Sequence, residues 1–356
     1  MTIDFSQPQN IQTSNLTTEF EQKIISFTQE FLSETKTVKV QTSGFTGTPK
    51  IFEIEKQKML NSAKMTCDFL DLKKENSALI CLPIEYISGK MMVVRSLERK
   101  LKLKIENPST KPLQNLNEEI DFCAMSPLQV ENSLDKIHFI KNLIIGGATV
   151  SENLKAKIFT TLQNHQSLTD NHQPKIYETY GMSETLSHIA LKKNYPKTDD
   201  YFQVLDGIEI SLDERGCLKI YAPQLNSEIL QTNDLVEIKR FDSAQSENKQ
   251  FKFLGRIDNV INSAGLKIHP EELENLIKKE VSNEAIFAGI PDELLGQKLV
   301  LIIEGEKNKN LDEALSQIKY PSKNHQPKEI IFIKKIPRTE NGKVNRQELL
   351  NLLKDI

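Results

Sequence analysis

Short apolar runs alternate with helical patterns over the first half of the chain. Residues 78–82, 122–124 and 143–145 are apolar runs that lead into Pro or Gly turns, which is typical of buried strands. Residues 56–71 and 151–162 have a helical pattern. This alternation predicts an α/β domain with a largely parallel sheet, whose ligands gather where strand ends meet loops.

The pattern becomes more antiparallel in character beyond the middle of the chain. Residues 208–212 and 217–221 alternate apolar and polar side chains on either side of a turn that ends in Gly216, which predicts a β-hairpin. We therefore expect a small β-rich subdomain at about residues 203–257, within a large N-terminal domain that spans residues 1–257.

The C-terminal part, residues 258–356, has a third pattern. Residues 269–279 begin with His-Pro and acidic side chains, which favours a helix start, and residues 346–353 predict a closing helix. Strands are predicted at residues 285–288, 299–303 and 329–333. These elements together indicate a small α+β domain.

The composition is that of an ordinary globular protein. Of the 356 residues, 38% are hydrophobic and 27% are charged, and the net charge of −3 gives no reason to expect nucleic acid or a membrane surface as a partner. The length favours two domains. We see no membrane-spanning apolar run and no signal-peptide pattern. The four cysteines lie far apart, so we expect buried, reduced thiols in a cytoplasmic protein without a structural metal.

One short loop, QTSGFTGTPK at residues 41–50, combines glycines, hydroxyls and a lysine. Glycines let backbone amides turn toward an anion, hydroxyls donate hydrogen bonds and lysine adds a mobile positive charge. We expect phosphate to bind at Thr42, Ser43, Gly44, Thr46, Gly47 and Lys50. The loop is not a Walker loop, because Pro49 precedes the lysine and Ile51 follows it. The alternative is a flexible hairpin loop.

A second segment, IYETYGMSET at residues 176–185, runs from a predicted strand into a turn. Tyr180 offers a flat ring for adenine, Gly181 permits close approach of the backbone, and Glu184 is a hard carboxylate suited to Mg²⁺ beside phosphates. The alternative is that Tyr180 belongs to the core and Glu184 caps a helix. Together with the preceding loop, this segment resembles the acyl-adenylate-forming ligases, in which the glutamate reaches the nucleotide's magnesium.

Two further turns resemble motifs of the same family. The resemblance implies that Gly147 and Ala148, in the segment IGGAT, line the adenine pocket. It also implies that Asp234, which follows a predicted strand, accepts the two ribose hydroxyls in charge-assisted hydrogen bonds. The family usually has Thr-Gly-Asp at this point, so Asn233 is a departure. The alternatives are a tight turn and a structural aspartate.

Residues 255–268 resemble the hinge of the family. The resemblance implies that Arg256 reaches the ribose or the α-phosphate and that Asp258 is the pivot about which a mobile C-terminal domain swings. The residues implied to face the tunnel for the CoA thiol are Ser263, Ala264 and Gly265.

Residues 336–346, IPRTENGKVNR, match the C-terminal pattern Pro-x-Thr-x-x-Gly-Lys-x-x-Arg of these ligases. The resemblance implies that Lys343 neutralises the charge that grows between the carboxylate and the α-phosphate. The alternative is an ordinary surface lysine. Five motifs in the family's order imply its fold, an N-terminally shortened α/β domain with a mobile α+β domain, and its requirement for ATP, Mg²⁺ and CoA.

Within the family, the chain most resembles the short o-succinylbenzoate–CoA ligases of menaquinone (vitamin K2) biosynthesis. The segments MSETLSHIA, residues 182–190, and LPIEYISGK, residues 82–90, resemble runs of those ligases, with Tyr86 where histidine is common. The phosphate loop also lies nearer the N-terminus than in most members, which implies a reduced substrate-side subdomain.

The acid o-succinylbenzoate carries two carboxylates, of which the aromatic one is not activated and needs a partner. Lys90 and Arg95 follow the Ile-Ser-Gly segment and are candidate partners, as a point charge and as a bidentate fork. The alternative for both is a solvated helix charge. Ser187 and His188 are further candidates for the acyl pocket.

The resemblance implies a carboxylate–CoA ligase that works in two steps, adenylation of the acid with release of pyrophosphate and then thioester formation with CoA. The alternatives are another aryl- or acyl-CoA ligase, an enzyme that loads a carrier protein, and a non-catalytic nucleotide-binding module. The expected partners are a small carboxylic acid, ATP and CoA. A homodimer whose second copy covers an exposed sheet edge is a further expectation.

Overall fold

The computed structural model describes most of the chain. The described residues are 1–7, 18–41, 51–165, 173–239, 249–281, 283–338 and 344–353. The strands are β1 (Thr2–Asp4), β2 (Thr37–Gln41), β3 (Ile51–Glu55), β4 (Ser77–Ile80), β5 (Lys102–Ile105), β6 (Ile120–Met125), β7 (Ile140–Ile145), β8 (Lys175–Gly181), β9 (His188–Tyr195), β10 (Phe202–Val204), β11 (Glu209–Leu212), β12 (Cys217–Tyr221), β13 (Leu230–Ile238), β14 (Gln250–Arg256), β15 (Ile261–Ser263), β16 (Leu266–Ile268), β17 (Ala285–Asp292), β18 (Gly296–Glu304) and β19 (Glu329–Ile333). The helices are α1 (Glu19–Leu32), α2 (Lys56–Phe69), α3 (Ile87–Arg99), α4 (Pro127–Asn132), α5 (Glu152–Gln163), α6 (Pro270–Glu280), α7 (Lys309–Ser316) and α8 (Arg346–Leu353).

The largest sheet has 12 strands in the order β1-β5-β4-β6-β7-β8-β9-β10-β14-β13-β12-β11. Its central pairings, from β5 through β4, β6 and β7 to β8, are parallel. From β8 to β9 onward the strands pair antiparallel. The α/β architecture with a parallel sheet, predicted from the alternation of apolar runs and helical patterns, is confirmed.

Alternate side chains of the parallel strands face two different cores. Ala78 and Ile80 of β4 pack with residues of α1, α2 and α3 on one face. Leu79 of β4 and Cys81 just beyond it pack with residues of α4 and α5 on the other. The period of two along a strand therefore divides the apolar side chains between two helical layers, which cover the parallel sheet on both faces.

Helix α3 lies deep in the first of these layers. A Cβ atom on Gly89, in its first turn, would lie 2.2 Å from the carbonyl oxygen of Pro83, so only glycine fits there. Residues 91–96 of α3 are all buried, because the helix contacts α1, α2 and the sheet. A charged side chain in this stretch is therefore carried into the protein interior.

The predicted hairpin is confirmed. Strands β11 and β12 pair with Glu209 opposite Tyr221 and Leu212 opposite Leu218. The turn between them ends at Gly216, whose φ of +79° favours glycine. This hairpin forms one end of the 12-stranded sheet.

The C-terminal elements build a second sheet, in which β17 pairs antiparallel with β18 and β18 pairs parallel with β19. One face packs against Leu273 and Ile277 of α6, and the other packs against Leu349 and Leu353 of α8. The helices predicted at residues 269–279 and 346–353 are therefore confirmed. The buried residues of both clusters lie between residues 261 and 353. The division of the chain at residue 257 stays a prediction.

All four cysteines are free and buried. Their burial confirms the prediction from the sequence. Within the described part of the chain, no helix combines the length and apolar character needed to cross a membrane.

Candidate active site

The glycine turn after β7 and the end of β8 lie side by side. A Cβ atom on Gly146 would be 2.7 Å from Oγ1 of Thr179, whose hydroxyl donates to the carbonyl oxygen of Ile145 at 3.2 Å. Gly147 has a φ of +86°, and among the described atoms none lies within 4 Å of the place where its Cβ would be. Gly147 and the exposed Ala148 thus border open space next to the strand that carries Tyr180.

Tyr180 is half-buried, and its hydroxyl donates to Oδ2 of Asp234 at 2.5 Å. Its ring packs edge-on against Phe251, with centroids 4.9 Å apart, and also contacts Phe202. Burial and then the charge of Asp234 raise the pKa of the Tyr180 phenol far above its ordinary value, so the group stays a donor. Tyr180 therefore belongs partly to the core, and it fixes the carboxylate of Asp234. Its contact with adenine stays a prediction.

Asp234 lies within β13, so the expectation that it follows a strand is wrong. It is opposite Arg256 of β14 in the antiparallel register, and the longer β13 results from this pairing. Nε of Arg256 is 4.0 Å from Oδ1 of Asp234. The structure thus brings together Tyr180, Asp234 and Arg256, the three side chains expected near the nucleoside.

Asp258 lies in the short 3₁₀ helix Ile257–Asn259, directly after β14. Its Oδ2 accepts from Nη2 of Arg256 at 2.8 Å, and both of its oxygens accept from Nδ2 of Asn233 at 3.1 Å. Oδ1 of Asn233 in turn accepts from Arg215 at 3.0 Å. The asparagine that departs from the family's pattern therefore ties the expected hinge residue to β13. The sequence marks the position as unusual but does not reveal this contact.

Glu184 lies in the 3₁₀ helix Ser183–Thr185 that follows β8. The buried hydroxyl of Thr185 accepts from the amide of Met182 at 2.9 Å, which fixes the turn. The carboxylate of Glu184 is exposed and forms no ion pair with any described residue. Mg²⁺ is commonly held by one or two carboxylates together with substrate phosphates. A single free carboxylate on a fixed turn fits such an ion.

The chain turns sharply between Glu184 and the start of β9. Leu186 has a φ of +68°, and the amide of Ser187 donates to the carbonyl oxygen of Thr185 at 2.7 Å. A non-glycine residue in this region is strained, and such strain is concentrated at functional sites. A Cβ on Gly181 would lie 2.5 Å from Cα of His188, so glycine is required there. The nucleotide segment and the acyl candidates Ser187 and His188 are therefore packed together.

Arg95 is 2% exposed, and its Nη2 donates to Oγ of Ser187 at 2.9 Å. Its Nε is buried without a hydrogen-bond partner, and no carboxylate of the described residues forms an ion pair with it. Burial lowers the pKa of Arg95 to about 10, so the guanidinium still carries its charge at neutral pH. The alternative of a solvated helix charge is therefore wrong for Arg95. A short apolar run, Met91 to Val94, precedes this arginine, and it is a sequence signal from which the burial of Arg95 could have been predicted.

His188 and Lys90 are placed differently relative to Arg95. Nε2 of His188 lies 3.0 Å from Oγ1 of Thr66, and burial, followed by the charge of Arg95, lowers the pKa of His188 well below its ordinary value. Lys90 is on the same helix as Arg95, but five positions earlier, which turns it by about 140°. Its Nζ lies 4.2 Å from the ring centroid of Phe27 on α1. The structure groups Arg95, Ser187 and His188, and it separates Lys90 from them.

A comparison with known proteins assigns the chain to a family. No protein-family profile matches it. A solved structure described as an acyl-CoA synthetase (AMP-forming)/AMP-acid ligase II-like protein, from Dyadobacter fermentans DSM 18053, is 32% identical, has a TM-score of 0.65, and the match covers 99% of each chain. The chain belongs to the AMP-forming acyl-CoA synthetases. The predicted family and the class of acid–thiol ligase are thereby confirmed.

Two further relatives of this ligase carry more specific names. The 2-succinylbenzoate–CoA ligase of Lactococcus lactis is 26% identical over 91% of this chain and 73% of the relative. The o-succinylbenzoate CoA synthetase of Bacillus subtilis, solved with ATP and magnesium, is 20% identical, with a TM-score of 0.69 and coverage of 87% and 69%. At that identity the second similarity supports the fold alone.

The segment expected to face the CoA thiol is a tight hairpin turn of the ligase. Ser263 ends β15 and is buried, while Ala264 and Gly265 have φ of +51° and +77° and form the two-residue connection to β16. Positive φ at both positions is typical of a type I′ turn. The amide of Ala264 donates to the carbonyl oxygen of Leu295 at 2.8 Å. Its role toward CoA stays a prediction.

Two predicted groups lie outside the described residues. They are the phosphate-loop residues Thr42, Ser43, Gly44, Thr46, Gly47 and Lys50, and the C-terminal Lys343. The flanks of both segments are described. Gln41 pairs with Ile51 across β2 and β3, and Arg338 pairs with Val344.

Proposed function

We propose that this ligase activates o-succinylbenzoate with ATP and transfers it to CoA, the step that menaquinone biosynthesis requires. Arg95 carries the proposal. The hydroxyl of Ser187 replaces only part of the hydration that this buried guanidinium loses, and no carboxylate of the described residues balances its charge. The aromatic carboxylate of o-succinylbenzoate would supply the missing partner, whereas a monocarboxylate would leave the charge unpaired. The similarity to ligases named for 2-succinylbenzoate supports the same substrate.

In the first step, the substrate carboxylate attacks the α-phosphorus of ATP and pyrophosphate leaves. The phosphate-loop residues hold the departing phosphates, Asp234 accepts the ribose hydroxyls, and Arg256 and Lys343 balance the charge on the reacting oxygens. Gly147, Ala148, Tyr180 and Gly181 form the adenine pocket. Glu184 would hold Mg²⁺, which when bound neutralises phosphate charge.

In the second step, the CoA thiol attacks the carbonyl of the adenylate and AMP leaves. The C-terminal domain turns about Asp258 between the steps, so that Lys343 withdraws and the Ser263–Gly265 turn approaches the thiol. Arg95 and Ser187 hold the distal carboxylate through both steps. Neither residue touches the reacting atoms. The buried thiols support a cytoplasmic location.

The substrate proposal is tested with Arg95→Ala. Removing one partner of a buried charge pair costs about 2–5 kcal/mol, so kcat/KM for o-succinylbenzoate should fall at least about thirtyfold. Benzoylpropionate is the same acid without the aromatic carboxylate, and its kcat/KM should change little. The measurement is steady-state formation of each CoA thioester.

Lys90→Ala is the matched variant on the same helix. Because Lys90 contacts Phe27 and not the Arg95 group, it should leave the preference for the dicarboxylate intact. An equal loss for both acids in Arg95→Ala would contradict the proposed role of Arg95. A preference lost in Lys90→Ala and kept in Arg95→Ala would assign the carboxylate to Lys90.

A further inference from the structure

A buried threonine of helix α2 contacts the group around Arg95. Thr66 is fully buried, and its Oγ1 lies 3.0 Å from Nε2 of His188 and 3.2 Å from the carbonyl oxygen of Ser62, one turn earlier on the helix. The sulfur of the next residue, Cys67, lies 3.8 Å from the carbonyl oxygen of Arg95. Helix α2 therefore supports both the imidazole of His188 and the helix that carries Arg95.

The two contacts of Thr66 restrict the protonation of His188. A threonine hydroxyl has one proton, and a carbonyl oxygen can only accept. If Thr66 donates to Ser62, as helical threonines do toward the preceding turn, it must accept from His188. Nε2 of His188 then carries the proton and Nδ1 keeps its lone pair. Burial of the ring, and then the nearby charge of Arg95, disfavour a second proton and lower the pKa of His188.

We propose that Thr66 is a positioning residue that sets the specificity of the acyl pocket. It holds His188 in the Nε2–H tautomer, and the fixed His188 holds the adjacent Ser187, whose Oγ accepts from Nη2 of Arg95 at 2.9 Å and so orients Arg95 for the distal carboxylate of a dicarboxylic acid. The inference rests on the proposed function, whose substrate it takes as given. Thr66 acts through His188 and touches no reacting atom. Its effect therefore falls on the KM for the dicarboxylate and spares kcat.

Thr66→Val removes the hydroxyl and keeps the shape of the side chain. The KM for o-succinylbenzoate should rise about fivefold, as expected for one lost hydrogen bond, with kcat and the KM for benzoylpropionate unchanged. Thr66→Ser restores the hydroxyl and should restore the KM. Thr28→Val is the matched control, because Thr28 is also buried and donates to the preceding turn of its helix, at 2.8 Å from the carbonyl oxygen of Ile24.

The tautomer is measured directly by long-range proton–nitrogen spectra of the nitrogen-15-labelled full chain, with His188→Gln to assign the signal. The wild type should show His188 protonated at Nε2, and Thr66→Val should show a mixture of tautomers. A wild-type His188 protonated at Nδ1 would overturn the inference. So would an unchanged KM in Thr66→Val, or an equal rise of KM for both acids, which a merely structural role would give.

The two proposals fail in different ways. If the wild type does not use o-succinylbenzoate, the proposed function fails, and the spectra still decide whether Thr66 sets the tautomer of His188. If the wild type prefers o-succinylbenzoate and neither the tautomer nor the KM depends on Thr66, the inference about Thr66 fails alone.

Discussion

At the scale of single residues, the candidate site contains polar groups that are buried with few partners. Among the described residues, the guanidinium of Arg95 has one hydrogen-bond partner, the hydroxyl of Ser187, and the imidazole of His188 has one, the hydroxyl of Thr66. Neither hydroxyl is an ion, so the protein leaves the positive charge of Arg95 uncompensated by any described residue. Burying a charge in this way lowers stability, and the protein bears that cost at the place where a dianionic acid would bind.

The burial of His188 predicts a dependence of stability on pH. Its pKa is depressed in the folded protein by burial and by Arg95, while in the unfolded chain it stays near about 6.5. Below that pH the unfolded state binds a proton that the folded state does not. The stability of the fold should therefore fall by up to about 1.4 kcal/mol per pH unit as the pH drops below about 6.5.

This pH dependence of stability is checked by measuring the denaturation midpoints of the wild type and of His188→Gln from about pH 8 to about pH 5. Glutamine keeps a polar side chain that can contact Thr66 but does not titrate. The difference between the two proteins should grow in favour of His188→Gln toward acid pH. Parallel curves would show that His188 titrates normally in the folded protein.

At the scale of elements, the sequence predicted the helices and hairpins that depend on interactions between residues close together in the chain. Helix α6 begins with a proline and acidic side chains in its first turn, and Oδ1 of Asn345 accepts from the amide of Glu348 at the start of α8. The hairpin of β11 and β12 follows from the turn at Gly216 and from alternating side chains. The prediction that Asp234 follows a strand was wrong, because β13 extends past Asp234 through its pairing with β14, which the local sequence does not show. Contacts between distant residues, such as Asn233 with Asp258 and Arg95 with Ser187, likewise depend on pairing and packing that no local pattern records.

The contact between Asn233 and Asp258 predicts how firmly the expected hinge is held. Removing the amide in Asn233→Ala frees both oxygens of Asp258 from β13 while leaving its pair with Arg256. Because Asp258 is exposed, the effect should be modest, about twofold to fivefold faster local opening. Limited trypsin digestion measures this as the rate of cleavage after Arg256, followed by mass spectrometry of the fragments.

The matched variant for this experiment is Arg215→Ala. This substitution removes the hydrogen bond from Nη1 of Arg215 to Oδ1 of Asn233, which is 3.0 Å long. It should increase the rate of cleavage after Arg256 by less than Asn233→Ala does. Equal cleavage rates after Arg256 in the wild type and Asn233→Ala would show that Asn233 does not restrain the hinge.

At the scale of the whole molecule, one sheet connects the two ends of the candidate site. The parallel strands β7 and β8 present the glycine turn and Tyr180, and the antiparallel strands β13 and β14 present Asp234 and Arg256. The pair Tyr180–Asp234 joins these two parts directly. The C-terminal sheet begins shortly after Asp258, and its apolar clusters contain only residues beyond it. A domain that turns about Asp258 needs such a core of its own.

The most direct test of the proposed activity supplies the wild-type ligase with ATP, Mg²⁺, CoA and one acid at a time, and follows pyrophosphate release together with the mass of the thioester. The acids are o-succinylbenzoate, benzoate, a medium-chain fatty acid and an amino acid. The account predicts selective formation of o-succinylbenzoyl-CoA with an equimolar amount of pyrophosphate. Pyrophosphate without thioester would move the acceptor from CoA to a carrier protein, and a preference for any of the other acids, or no reaction with all four, would contradict it.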